Sequence, residues 1–187
     1  MKSFAYIDSI PPSLPLAAED ITEFHSARIL LLLQHCGTGS RIEGLTKFAK
    51  LDFFVRYPDF FAAATGSSEN TLRTKAVESA MIRYHYGPWD KRYYSILSNL
   101  EARGLITTQL KGKAVNIRLT KEGLQRAKSL SEMSSYEPLT ERMKSVKKAF
   151  GLKSGNYSTA RLLGSQLWEG LWSRLGPASG NIIPSHR

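Results

Sequence analysis

Apolar residues cluster in the first third of the chain at the spacing expected of helices. The stretch Thr22 to Cys36 contains five consecutive aliphatic residues, Ile29 to Leu33. A helix that is apolar on nearly every side must be central to a fold, and the Gly37 that follows is typical of a helix end. The pattern therefore predicts a core helix over residues 22–36.

A second helix is predicted to begin at Ser40 or Arg41, because apolar residues continue at helical spacing until Pro58 limits them. A short helix, Phe60 to Ala64, is expected after the proline. The polar residues 66–80 then predict a mobile loop or a weak helix. Residues 22–64 are thus expected to be mainly helical, with a tight loop over residues 37–40.

The middle of the chain combines a predicted strand with another helix. Met81 to Tyr86 is rich in strand formers, and Gly87 and Pro88 are expected to end the strand. Residues 91–103 then predict a helix with one buried stripe, because apolar residues recur there at helical spacing. The residues of that stripe are Tyr93, Ile96, Leu97 and Leu100.

A β-hairpin is the clearest local pattern in the sequence. Leu105–Leu110 and Ala114–Leu119 are predicted strands, and Lys111–Lys113 forms the turn, with its glycine supplying backbone freedom. Thr120 then caps a helix that runs from Lys121 to about Leu130. The hairpin and the helix after it follow each other directly.

Two further helices are predicted in the C-terminal part of the chain. The first is basic and ends near residue 150, and the second runs from about Ser158 to Leu175, followed by a tail over residues 177–187 that we expect to be disordered. The apolar positions of the basic helix are Leu139, Met143, Val146 and Phe150, and Lys144, Lys147 and Lys148 are expected to face outward.

Helix, helix, strand, helix, two-stranded ribbon and helix is the order of a winged helix-turn-helix. We therefore expect a mainly α fold with a small β-ribbon, in which a winged-helix domain spans residues 21–132. An extended, proline-punctuated arm is expected at residues 1–20, and a C-terminal helical extension at residues 138–176.

The chain carries an excess of positive charge. Its 187 residues include 26 Lys and Arg against 16 Asp and Glu, for a formal net charge of +10. Such an excess favours polyanionic partners through long-range attraction and counterion release, although a charge that serves only solubility would give the same count. The charge is therefore consistent with a nucleic-acid partner without requiring one.

The sequence predicts no cofactor, no metal site and no enzymatic activity. Cys36 is the single cysteine, and the four histidines lack partners at metal-binding spacing. The longest apolar run, Ile29 to Leu33, is too short to cross a bilayer, and prolines interrupt the N-terminal region where a signal peptide needs an apolar segment. We therefore expect a cytoplasmic protein with no membrane association.

In a winged helix, the recognition helix turns one polar face to the major groove and the hairpin contacts the phosphate backbone. We expect double-stranded DNA to be contacted by the helix over residues 91–103 and by the hairpin, although a solvated helix face and an ordinary charged turn would carry the same residue types. The predicted nucleic-acid contacts are Lys91, Arg92, Ser95, Asn99, Arg103, Lys111, Lys113 and Arg118.

Aromatic and leucine-rich segments predict contacts with partner proteins. Trp89 and Tyr94 lie at the start of the predicted recognition helix. There they either form an interface or pack the helix on the strand. The last helix either exposes an apolar stripe or folds back onto its own domain. The predicted partner contacts are Trp89, Tyr94, Leu163, Leu167, Trp168, Leu171, Trp172 and Leu175.

Two stretches, Arg41–Pro58 (RIEGLTKFAKLDFFVRYP) and Arg83–Tyr93 (RYHYGPWDKRY), resemble the middle component of bacterial ABC-three-component systems. That group includes the small winged-helix subunit of Lamassu-type anti-phage complexes, and the resemblance covers about residues 25–130. It implies an accessory subunit that bridges an SMC- or Rad50-like ATPase and an effector, often a nuclease. It assigns no catalytic residue to this chain.

Two alternatives remain open. The hairpin and residues 119–123 (LTKEG) also resemble transcription regulators of the MarR or PadR type. Such a regulator would dimerise through its terminal helices and bind operator DNA as a dimer. The other alternative is a scaffold whose basic surface binds acidic protein. A regulator would dimerise, whereas a subunit would purify together with a large ATPase.

Overall fold

The computed structural model describes residues 21–65, 82–84 and 87–150. This part of the chain is mainly helical and contains a three-stranded antiparallel sheet and a separate two-stranded one. The prediction of a mainly α fold with a small β component is therefore confirmed. The predicted N-terminal arm, the loop over residues 66–80, the last helix and the tail lie outside the described residues.

The first helix, α1 (Thr22–Cys36), lies at the centre of the core, as predicted. Every residue from Ile29 to Leu33 is at most 3% exposed, because other elements surround the helix. Gly37 follows α1 with an extended backbone. A Cβ at this position would lie 2.2 Å from the carbonyl oxygen of Leu33, so close packing requires glycine here.

The segment after α1 forms a strand, β1 (Arg41–Glu43), and the predicted helix start at Ser40 or Arg41 is wrong. Ser40 and Gly44 have φ values of 57° and 89°, and these left-handed conformations interrupt a helix on both sides of the strand. Ile42 is buried because it pairs with Ile117, a residue far away in the sequence. This long-range pairing outweighs the local helical spacing.

Two helices and a small hairpin precede the helix that begins at Tyr93. They are α2 (Leu45–Arg56), α3 (Pro58–Thr65) and the antiparallel pair of β2 (Ile82–Tyr84) and β3 (Gly87–Trp89). The prediction that Gly87 and Pro88 end a strand is wrong, because both belong to β3. A sheet of two strands has only edges, so a proline can be accommodated where its nitrogen needs no hydrogen bond.

The next helix and the hairpin after it are close to the prediction. They are α4 (Tyr93–Ala102), β4 (Ile106–Lys111) and β5 (Ala114–Leu119). Gly112 and Lys113 form the turn, and Gly112 has a φ of 61°, as expected for a two-residue turn that begins with glycine. β1 joins this hairpin in the strand order β1-β5-β4.

Thr120 caps α5 (Lys121–Ser131), as predicted, and its hydroxyl accepts a hydrogen bond of 3.0 Å from the N–H of Gly123. A 3₁₀ turn, Ser134–Tyr136, leads into α6 (Glu137–Phe150). The core-facing residues of α6 are fully buried and belong to the same core as α1. They are Met143, Val146 and Phe150.

Two basic residues of α6 attach it to the ends of earlier helices. The ammonium of Lys147 donates to the carbonyl oxygens of Cys36 (3.0 Å) and Gly37 (2.7 Å). Arg142 donates to the carbonyl oxygen of Val55 at 2.9 Å. A cation is favourable beside the free carbonyls at the end of a helix. The prediction that Lys147 faces outward is therefore wrong, whereas Lys144 and Lys148 are exposed as predicted.

Candidate nucleic-acid interface

The outward side of α4 carries small polar residues between two cations. The apolar stripe of α4 is buried as predicted, which leaves Ser95 and Asn99 exposed on the opposite side of the helix. Lys91 and Arg103, at the two ends of this side, are also exposed. We refer to Lys91, Ser95, Asn99 and Arg103 as the α4 face. Its short central side chains allow a ligand to approach the backbone of the helix closely.

Arg92 belongs to the fold rather than to the α4 face. Its guanidinium donates to both carboxylate oxygens of Asp90, at 3.0 and 2.7 Å, and contacts Nε2 of His25 at 2.7 Å. These contacts turn the side chain back against α1. Arg92 thus helps to fix the start of α4, and its contact with nucleic acid stays a prediction.

A network of buried charges holds α4 against α1 and α2. Arg28 of α1 forms a two-pronged ion pair with Asp52 of α2, at 2.9 and 3.3 Å, and both side chains are fully buried. The hydroxyl of Tyr93 donates to Asp52 at 2.7 Å. Burial, together with the adjacent Asp52, raises the pKa of Tyr93 far above its ordinary value, so this side chain stays a neutral donor.

A second ion pair in this network links the end of α2 to the start of α4. Arg56, the last residue of α2, donates to Asp90 at 2.9 Å. Burial alone would raise the pKa of Asp90, but hydrogen bonds from Arg92 and the charges of Arg56 and Arg92 outweigh burial and hold the pKa well below its ordinary range. Asp90 therefore remains ionised and ties the two helices together.

The C-terminal part of α4 is tied to the hairpin by one side chain. The carboxylate of Glu101 accepts hydrogen bonds from the backbone N–H of Thr108 (2.7 Å) and from its hydroxyl (2.9 and 2.8 Å). The carboxylate also covers part of the outer edge of β4, where an open edge would invite pairing with another strand. Glu101 thus fixes the orientation of the hairpin relative to the α4 face.

The basic residues of the hairpin fall into two groups. Lys111 and Lys113 are exposed on either side of Gly112, and these three residues form the hairpin tip. Arg118 is also exposed but lies farther along β5, where its cross-strand neighbour in β1 is Arg41. The predicted contacts therefore do not all converge on α4. Sequence reasoning missed Arg41 because it assigned that residue to a helix.

The aromatic residues at the start of α4 differ in exposure. Tyr94 is 62% exposed, and its ring centroid lies 5.4 Å from that of Trp89. Trp89 is half-buried and packs edge-on against Tyr93 at 5.3 Å. Tyr94 is thus the more accessible of the two predicted partner contacts. The other six, in the last predicted helix, lie outside the described residues.

Cys36 is the single cysteine of the chain, and it is buried. Burial raises the pKa of the Cys36 thiol to about 12, so the thiol stays protonated and unreactive at neutral pH. Residues 21–65, 82–84 and 87–150 contain no group of three or more His, Cys, Asp or Glu side chains that could hold a metal ion. Over the same residues, no helix is long and apolar enough to cross a membrane.

Comparison with known proteins finds no family model, no curated sequence and no solved structure that matches the chain.

Proposed function

We propose that this chain is a winged-helix protein that binds double-stranded DNA through the α4 face and the hairpin tip. The observation that carries the proposal is the sheet order β1-β5-β4, together with an outward polar face on the helix immediately before the hairpin. A winged helix has this arrangement: a short strand between the first two helices completes the sheet of the hairpin, and the third helix reads the groove.

One departure from that arrangement has a structural compensation. A helix-turn-helix joins its two helices by a turn of about three or four residues, whereas α3, β2 and β3 separate α2 from α4 here. The buried ion pair between Arg56 and Asp90 joins the end of α2 to the start of α4 across this insertion. The ion pair thus fixes the end of α2 next to the start of α4, as a short turn would. This supports a helix-turn-helix geometry for α2 and α4.

The chemistry of the two exposed elements suits the two parts of a DNA site. Ser95 and Asn99 have short side chains that donate to and accept from base edges in the major groove. Lys91, Arg103 and the lysines of the hairpin tip suit the phosphates on either side, where contacts supply affinity without sequence information. The proposed activity is therefore binding without catalysis.

In the cell, we propose that the chain is an accessory subunit of an SMC- or Rad50-like ATPase complex of the anti-phage type and links the ATPase to an effector. The alternative is a MarR- or PadR-like regulator. The resemblance of Arg41–Pro58 and Arg83–Tyr93 to the middle component of ABC-three-component systems supports the subunit.

DNA binding is tested by titrating the chain with a fluorescent duplex at several salt concentrations. The double variant Lys111→Gln/Lys113→Gln should reduce the slope of log affinity against log salt by about 2, since about 0.9 is lost per phosphate contact. The matched control, Lys128→Gln/Lys148→Gln, removes the same charge from exposed positions on α5 and α6 and should change the slope little. Equal effects of the two variants would contradict a DNA site at the hairpin tip.

The two cellular roles are separated by affinity purification of the native protein and by its mass in solution. The subunit proposal predicts a monomeric chain that purifies together with a coiled-coil ATPase. A stable dimer that purifies without an ATPase and protects one palindromic duplex would favour the regulator instead.

A further inference from the structure

The outer face of the three-stranded sheet brings two arginines directly opposite each other. Arg41 of β1 faces Arg118 of β5 across the strands, and Arg118 faces Thr107 of β4 on its other side. Side chains alternate along a strand, and the neighbouring residues Ile42 and Ile117 are buried on the helical side of the sheet. The row of Arg41, Arg118 and Thr107 therefore lies on the outer sheet face, away from the helices.

The register makes this the closest kind of cross-strand pair. The backbone N–H of Leu119 donates to Ser40 at 3.0 Å, and that of Gly44 donates to Val115 at 2.9 Å. These hydrogen-bonded positions alternate with the pair formed by Arg41 and Arg118, which is therefore a non-hydrogen-bonded pair. The Cα atoms of such a pair are about 4.5 Å apart, and the side chains lie closer together than in a hydrogen-bonded pair.

Like charges directly opposite each other destabilise a sheet. The nearby carboxylate of Glu43 lies 2.8 Å from Arg41, but both side chains of this ion pair are about half exposed, so it compensates little. Two arginines that project from paired positions on one sheet face suit a phosphate group, whose oxygens accept from planar, forked donors. An anion held between them would remove the repulsion.

We propose that the outer sheet face is a second nucleic-acid site that binds the phosphate backbone of a DNA segment other than the one at the α4 face. This inference rests on the proposed DNA-binding function. The two sites are distinct because Glu101 holds α4 against β4 through Thr108, whose strand position is on the helical side of the sheet, whereas Arg41 and Arg118 are on the outer side. A chain with both sites holds two duplexes.

The proposal is tested by the stoichiometry of binding to a duplex of about 12 base pairs, slightly more than one helical turn. The wild-type chain should bind two duplexes, and two differently labelled duplexes should show energy transfer only when the protein is present. Arg41→Gln/Arg118→Gln should bind one duplex, and the salt-dependent binding of the second duplex should be lost. The control variant Lys128→Gln/Lys148→Gln should still bind two.

A further variant separates this inference from the proposed function. Lys91→Glu/Arg103→Glu should remove the duplex at the α4 face and retain the one on the outer sheet face. A wild-type chain that binds a single duplex, unaffected by Arg41→Gln/Arg118→Gln, would overturn the second site and leave the proposed function intact. The second site would also be overturned if Arg41→Gln/Arg118→Gln lost binding to a polyglutamate peptide while its duplex stoichiometry stayed unchanged. The outer sheet face would then bind acidic protein.

Urea unfolding of the single variant Arg118→Gln checks whether the substitution disturbs the fold. Because the pair is repulsive, Arg118→Gln should unfold at the same or a higher urea concentration than the wild type at low salt, and the difference should shrink as salt is added. A large destabilisation would show that Arg118 serves the fold, which would contradict a binding role.

Discussion

Asp52 is a fully buried acid that accepts hydrogen bonds from residues of both α1 and α4. Arg28 and Tyr93 both donate to it, and the guanidinium of Arg56 lies 3.9 Å away. A charge without exposure to water is tolerated only when it is paired and hydrogen-bonded. The network therefore connects α1, α2 and α4 in one fixed arrangement, at the cost of burying several charges.

Asp52→Asn should destabilise the chain by about 3 to 5 kcal/mol, because removal of one charge from a buried pair leaves its partner uncompensated. The measurement is the free energy of unfolding in urea. Asp59→Asn is the matched control, since Asp59 is exposed and its substitution should change stability by less than about 0.5 kcal/mol. Similar values for the two variants would mean that the network contributes nothing to stability.

At the scale of single residues, sequence reasoning identified exposed cations well and buried ones poorly. Lys91 and Arg103 are exposed as predicted, whereas Arg92 and Lys147 donate to groups within the fold. The side chains are chemically alike, so the sequence does not distinguish them. The difference depends on which carboxylate or helix end lies nearby, and only tertiary packing decides that.

At the scale of elements, Glu101 connects α4 to the hairpin of β4 and β5. Glu101→Ala should cost about 1 to 2 kcal/mol, the usual contribution of hydrogen bonds to a charged group that is partly solvated. The amide of Thr108 should also exchange faster with deuterium, while the amide of Leu119, which donates to Ser40, should keep its protection. An unchanged exchange rate at the amide of Thr108 would contradict the role of Glu101 in holding the hairpin against α4.

The hairpin and the buried stripe of α4 could be predicted because their signals are local. A glycine in a short turn between alternating strands, and apolar residues at helical spacing, specify structure within a few residues. β1 could not be predicted in this way. It has three residues, and its strand conformation depends on pairing with β5, more than seventy residues later. Arg41, the main omission from the candidate sites, was lost for the same reason.

At the scale of the whole molecule, two titratable groups, His35 and Asp90, make the stability of the fold depend on pH in separate ranges. Burial and the charge of Lys144 lower the pKa of His35 below its ordinary value of 6.5. Protonation therefore favours the unfolded chain as the pH falls below that value. Asp90 has a depressed pKa, so its contribution is present above its ordinary value of 3.8 and is lost as the pH falls below it.

Urea unfolding between pH 8 and pH 3 should therefore show a first decline in stability below about pH 6.5 and a second below about pH 4. His35→Gln should remove most of the first decline and leave the second, since glutamine keeps a polar group near Ser131 but does not titrate. If His35→Gln and the wild type decline together across the first range, the assignment to His35 is incorrect.

The overall architecture was only partly predictable for a similar reason. The order of helices and hairpin follows from local patterns, and that order favours a winged helix. The sequence does not show that α6 belongs to the main core, because an amphipathic helix would look the same on an appendage. Nor does it show that Arg56 and Asp90 pair across the insertion between α2 and α4, which requires the tertiary structure.

DNA binding through the α4 face and the hairpin tip is tested directly by titrating the isotopically labelled chain with a duplex and following the NMR shifts of its backbone amides. The largest shifts are expected at Ser95, Asn99 and Gly112, because these residues lie on the α4 face and at the hairpin tip. Shifts confined to α5 and α6, or no shifts at DNA concentrations that saturate other winged-helix proteins, would contradict it.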